Sequence, residues 1–137
     1  MIQANELRIG NWVRVGDIES TVCLIDHNKF IQLQGNAVVN RPEQIDPITL
    51  TPEILGRCGF EKKLMENGKY CYLLKKEEIT LRIFISGEHN GNVFTFLSIK
   101  GGKEKAIFIT NLHQLQNIHP LLWFEELEIK ELEHAEK

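Results

Sequence analysis

The chain has little of what usually announces a chemistry or a compartment. It has three cysteines, Cys23, Cys58 and Cys71, and their wide spacing lacks the close CxxC pairs of zinc sites, while an odd number cannot all pair within one chain. A reduced, cytoplasmic setting follows. No apolar run reaches the roughly 18 residues needed to cross a bilayer. The opening MIQANELRIGNWV has no basic segment ahead of a long apolar core, so neither secretion nor membrane insertion is expected. Positive charge is not in surplus either. Against 19 acidic residues stand 16 basic ones, for a net charge of -3, which offers no general attraction for nucleic acid or acidic membranes. HExxH and GxSxG patterns and a dinucleotide fingerprint are absent, and Gly101-Gly102 lies between two expected antiparallel strands, not between a strand and a helix as a phosphate loop would. No cofactor and no metal is expected.

What is present suffices for a core. At 15.8 kDa and 42% hydrophobic residues the chain fits one ordinary domain or two small subdomains, burying about two-thirds of its extended surface without metal or disulfide. Residues 11–15, 21–25, 30–34 and 37–39 read as short strands of a meander. Asp26-His27-Asn28-Lys29 and Gly35-Asn36 supply turns whose residue types tolerate positive dihedrals. Trp12, Val13, Val15, Val22, Leu24, Phe30, Ile31 and Leu33 are expected to cover one side of a curled sheet, an SH3-like partial barrel. Thr51-Pro52-Glu53 then combines a side-chain cap, a preorganised first helical residue and an early negative charge, predicting a helix over residues 52–58 closed by Gly59.

Strand periodicity returns at residues 70–74 and 78–85, across a turn at 75–77, and continues at 93–99 and 105–109 beyond a loop at 86–92. Thr110 is placed to cap a helix over residues 111–117, with Leu112, Leu115 and Ile118 inward and Pro120 limiting it. Two readings of the end stay open: a short strand over the alternating residues 125–129, EELEI, or an amphipathic helix starting after Pro120. The acidity is concentrated there, since residues 125–137 hold six glutamates and two lysines. The reading is an α+β fold with a meander at residues 1–46 and an α+β region at 47–137, sharing one core.

The segments LRIGNWV at 7–13, PITLTPEILGRCGFEK at 47–62 and LHQLQNIH at 112–119 together resemble a small uncharacterised family of Bacteroides-type bacteria and their phages or prophages. The resemblance spans most of the chain, and the EELEI ending favours the strand reading of residues 125–129. Trp123-Phe124 stands where members carry a Thr-Gly turn. An accessory or host-interaction role is implied, without an activity.

Candidate chemistry is sparse. The cysteines sit in apolar surroundings and read as packing residues. His27, His89, His113, His119 and His134 are dispersed, so a small hydrolase-like enzyme with a histidine-containing site requires the fold to gather them with cysteine or carboxylate groups. His113, Gln114 and Gln116 combine a titratable ring with two amides on one helix, and either secure that helix or meet a ligand. Trp12, Phe30, Tyr70, Tyr72, Phe84, Phe94, Phe96 and Phe108, with the lysines at 62, 63, 69, 75, 76, 100, 103 and 105 forming a stripe if their turns meet, allow a nucleic-acid-binding surface, although most of these rings are expected in the core. Trp123 and Phe124 are the candidate contacts of a non-catalytic protein-interaction module, whose partner is another protein or a second copy of the chain.

Overall fold

The computed structural model describes residues 2, 4–35, 39–66, 68–86, 92–100 and 102–130. Asn36 of the second turn, residues 37 and 38 of the fourth expected strand, most of the 86–92 loop, Gly101, His89 and the acidic end from residue 131, with His134, lie outside the described residues. The fold is α+β, with two antiparallel sheets of four and five strands. The chain divides into two compact units, one drawn from Met1–Thr49 and Asn111–Ile118 and the other from Leu50–Thr110 and His119–Glu131.

In the first unit the strands β1 (Trp12–Val15), β2 (Ile18–Ile25), β3 (Ile31–Leu33) and β4 (Val39–Asn40) pair in sequence order. The predicted turn forms because the Asp26 carboxylate accepts from the amides of Asn28 and Phe30, at 2.9 and 3.0 Å, with Lys29 in the left-handed region. After β4 the chain returns to β1, where Arg14 and Asp46 exchange backbone hydrogen bonds of 2.9 and 2.8 Å. This return curls the meander around Val13, Val22, Ile31, Leu33 and Ile45. Leu24 and Cys23 depart from the expected inward set. A bulge between Val22 and Leu24 shifts the register, and both side chains face solvent. Cys23 is therefore not a packing residue.

In the second unit α1 (Pro52–Arg57) forms as its signals predict, the Thr51 hydroxyl accepting from the Ile54 amide at 3.2 Å and Gly59 taking a φ of 90° beyond its end. The sheet runs β5 (Glu61–Leu64), β6 (Tyr70–Lys76), β7 (Ile79–Ser86), β8 (Asn92–Ile99) and β9 (Lys105–Ile107). Strand β5 escapes the periodicity rule because all four of its residues are exposed. Its lysines suit an edge that must resist further pairing. β9 ends two residues earlier than predicted: the Ile109 carbonyl accepts from the Thr95 hydroxyl at 2.6 Å instead of continuing the ladder. One face of this sheet buries Leu74, Leu81, Ile83 and Thr95.

Helix α2 (Leu112–Trp123) corrects three expectations. It starts after Asn111, whose amide donates to the Gln114 side-chain oxygen at 3.1 Å, so Thr110 is not its cap. Its buried stripe is Leu112, Leu115, Gln116 and His119, the 3.6-residue repeat, with His113 buried beside it; Ile118 is only half-buried. Finally, α2 passes through Pro120 and ends at Trp123, and residues 125–129 form neither a strand nor a helix. A proline inside a helix leaves the carbonyl four residues back without its donor. That carbonyl belongs to Gln116, and the Arg8 guanidinium donates to it at 2.9 Å through Nη2 while Nε donates to Asn117 Oδ1 at 2.7 Å.

Arg8→Ala is accordingly expected to lower the unfolding free energy by about 1.5–3 kcal/mol, the range for hydrogen bonds to a charged group. Arg8→Lys should restore only part, because an ammonium cannot fork onto both acceptors. Urea unfolding of the three proteins checks this; equal midpoints would remove Arg8 from the support of α2.

Candidate interaction site at the end of helix α2

The predicted site residues separate into supporting and presented groups. Gln116 is buried, its side-chain oxygen accepting from the Trp12 amide at 2.8 Å and its Nε2 donating to the Gly10 carbonyl at 3.0 Å. The amide thus completes backbone groups that lack ladder partners. Gln114 closes the helix start, as described above. Asn117 extends the network by donating to the Glu6 carbonyl at 2.7 Å and accepting from Asn11 Nδ2 at 2.9 Å. These amides secure the helix and are not free for a ligand.

His113 is also interior. Neither ring nitrogen has a hydrogen-bond partner among the described residues, and Glu6 Oε1 stands 3.8 Å from Nε2. Burial pushes its pKa below the ordinary histidine value, outweighing the opposing pull of Glu6. The ring is neutral near pH 7 and shielded from solvent.

The other buried histidine of α2 organises its end. His119 Nδ1 lies 2.7 Å from the Glu125 carbonyl oxygen, which can only accept, so Nδ1 bears the proton and Nε2 keeps its lone pair. Lys76 Nζ donates to Nε2 at 3.2 Å and to Glu125 Oε1 at 3.0 Å. Trp123 Nε1 donates to the Lys76 carbonyl at 3.0 Å, and its ring lies 4.8 Å from the His119 ring and 5.5 Å from the Lys76 ammonium. Burial lowers the His119 pKa, Lys76 adds to that, and the Glu125 carbonyl and the Glu125 and Glu126 carboxylates oppose it. The bond from Lys76 holds the Glu125 carboxyl below the usual range. Trp123 is therefore an internal anchor, and Lys76, His119 and Glu125 form a clip around it. Sequence reasoning passed over this clip because its members lie far apart in the chain. Its one legible signal was His119, seven residues after Leu112 on the same helical stripe.

Phe124 is the opposite of its neighbour. Its ring is 94% exposed, Leu121 one turn earlier is 77% exposed, and the exposed carboxylate-bearing residues Glu125, Glu126 and Glu128 follow. Phe124 takes a φ of 57° where its amide donates back to the Pro120 carbonyl at 2.9 Å. This is the helix-closing position usually held by glycine, and an L side chain there costs about 1–2 kcal/mol.

The remaining candidates do not converge. Among the described residues no three histidine, cysteine, aspartate or glutamate side chains are grouped to hold a metal ion. Cys58 and Cys71 are buried, and burial pushes the Cys58 thiol up to about 12, far from a thiolate at neutral pH. Several rings expected inside are outside, Phe94 at 49% and Phe108 at 96% exposure among them. No protein-family model, curated protein or solved structure matches the chain.

The two buried histidines set an acid dependence. An unfolded chain takes up their protons near pH 6.5, the ordinary value, whereas the folded chain resists until lower pH. Stability is therefore full above that value and declines as the pH falls below it, toward the lower folded-state values. His113→Leu removes one of the two contributions along with an unpartnered polar ring, and is expected to raise stability at neutral pH by about 1 kcal/mol while making the acid decline shallower. Urea midpoints across the range would show this; an unchanged slope would mean that His113 does not resist protonation.

Proposed function

We propose that this chain is a non-catalytic protein-interaction module that presents Phe124 and Leu121 to a partner protein. The supporting observation is the placement of Phe124: a large apolar ring, 94% exposed, at a backbone position of positive φ. Nothing in the fold gains from a phenylalanine there, since glycine relieves the backbone and the ring buries almost no area. A ring kept at such a position is accounted for by contact with another molecule. Exposed Glu126 and Glu128 follow the apolar pair in the chain, and their negative charge fits a protein surface offering an apolar pocket with basic neighbours and opposes the phosphates of nucleic acid. The accessory, host-interaction role implied by the family resemblance belongs to the same proposal.

Phe124→Gly separates presentation from folding. The variant is expected to unfold about 1 kcal/mol later than the parent, because the left-handed strain is relieved. Its association, read by oligomeric mass and by comparative capture of a protein partner, should be lost, as it should in Leu121→Ser. A partner or second copy retained equally by both variants would discard the site.

A further inference from the structure

The clip at the end of α2 joins an imidazole to an ammonium through a hydrogen bond that a single proton abolishes. His119 is buried, and its Nδ1–H donates to the Glu125 carbonyl at 2.7 Å, so the free lone pair of the ring is at Nε2, where Lys76 Nζ donates at 3.2 Å. The same ammonium donates to Glu125 Oε1 at 3.0 Å and lies 5.5 Å from the centre of the Trp123 ring. A proton entering the ring has one place to go, which is Nε2. There its N–H would face the N–H groups of the lysine, so the hydrogen bond is lost and two positive charges stand 3.2 Å apart. The two sides of this contact are unequal. The imidazole is enclosed, whereas the Lys76 side chain is 39% exposed and that of Glu125 59% exposed, so the ammonium is the group that can leave for water. The charged groups that face the ring are Lys76 from the end of β6 and Glu125 and Glu126 from the segment after α2. The two carboxylates stay to accompany the imidazolium.

We infer that the clip is an acid-operated latch: protonation of His119 expels Lys76, and the surface that carries Phe124 changes its charge. Burial first, and Lys76 in addition, keep the His119 pKa below the ordinary histidine value, so the latch is closed at neutral pH and opens as the pH falls through that lowered value. Opening leaves the fold in place. The Trp123 indole is bonded to the Lys76 backbone carbonyl and not to its ammonium, and the Phe124 amide is bonded to the Pro120 carbonyl, so both bonds survive when the side chain of Lys76 departs. What changes is charge. The ring gains one positive charge, and the ammonium that was tied to Glu125 turns out to solvent as a second. Phe124 lies between Trp123 and Glu125, the two residues that Lys76 reaches in the closed latch, so both charges arise next to the presented ring. They offset the negative charge of Glu126 and Glu128 and disfavour a partner with basic neighbours, which makes association strong at neutral pH and weak in mild acid. This consequence rests on Phe124 being a contact; the latch itself does not.

The test is an NMR titration of the full isotope-labelled chain from neutral pH into mild acid, following the His119 ring nitrogens, the Lys76 ammonium and the amides of the buried residues Leu81 and Ile83. At neutral pH the ring should show the tautomer protonated at Nδ1, and the ammonium a slowly exchanging signal. On acidification that signal is expected to be lost with the same midpoint as the His119 ring, while the two core amides keep their shifts. Lys76→Met removes both the repelling cation and the donor to Nε2, and should move the His119 midpoint upward. His113→Leu, which removes the other buried histidine, should leave the Lys76 midpoint where it is. The inference is overturned by an ammonium that stays bound through the titration of His119, or by one already in free exchange at neutral pH. It is equally overturned by an unmoved midpoint in Lys76→Met, or by a ring that takes up its proton only as the core amides are lost. None of these signals needs a partner, so the latch is judged apart from the Phe124 contact, which falls on its own if association survives Phe124→Gly.

Discussion

A proline at position 120 removes one backbone donor from α2 and leaves the Gln116 carbonyl facing the proline ring, a loss of about 3 kcal/mol in an isolated helix. The Arg8 guanidinium supplies a donor for that carbonyl and for Asn117. With the carbonyl satisfied, the helix runs on for three residues past Pro120, and those residues set the candidate site. His119 and Trp123 lie on the inner side of that last stretch, and Phe124 closes it in a left-handed conformation. Had the helix stopped at the proline, neither the clip nor the exposed ring would exist in this form.

The buried stripe of α2 is unusual in being largely polar. Gln116, His113 and His119 occupy positions that an ordinary amphipathic helix fills with leucine. Two of them carry their hydrogen bonds with them: Gln116 completes the backbone at Gly10 and Trp12, and His119 ties Glu125 to Lys76. Burial then acts in their favour, since a satisfied polar group in a low-dielectric interior specifies its neighbours more sharply than a leucine does. His113 is the exception, and its unpartnered ring marks where the interior is least satisfied.

Much of the architecture was legible because it depends on local chemistry. Thr51-Pro52 sets α1, Asp26 shapes the first hairpin, and alternation from Ile79 to Ile85 gives a central strand. What escaped depends on partners distant in sequence. No local rule reveals that Arg8 rescues the carbonyl before Pro120, more than a hundred residues away, so the helix was expected to stop there. The three-residue recurrence of Leu112, Leu115 and Ile118 likewise hid the true 3.6-residue stripe, which brings His119 inward. Strand β5 carries no alternation because it lies at an exposed edge. At the site, the pairing of Trp123 with Phe124 was visible, but their division into anchor and presented ring follows from the indole bond to Lys76. Cys23 and Leu24 were misread because a bulge is invisible to simple alternation.

Presentation of Phe124 depends on α2 continuing through Pro120. Hydrogen exchange followed by NMR tests this most directly, at the Phe124 amide bonded to Pro120 and the Trp123 indole N–H bonded to Lys76. Both protons should exchange well below free-chain rates, with a Phe124 coupling constant characteristic of positive φ. Free-chain exchange at these two sites in an otherwise folded protein would show that the helix ends at the proline, and the proposed presentation of Phe124 would fail with it.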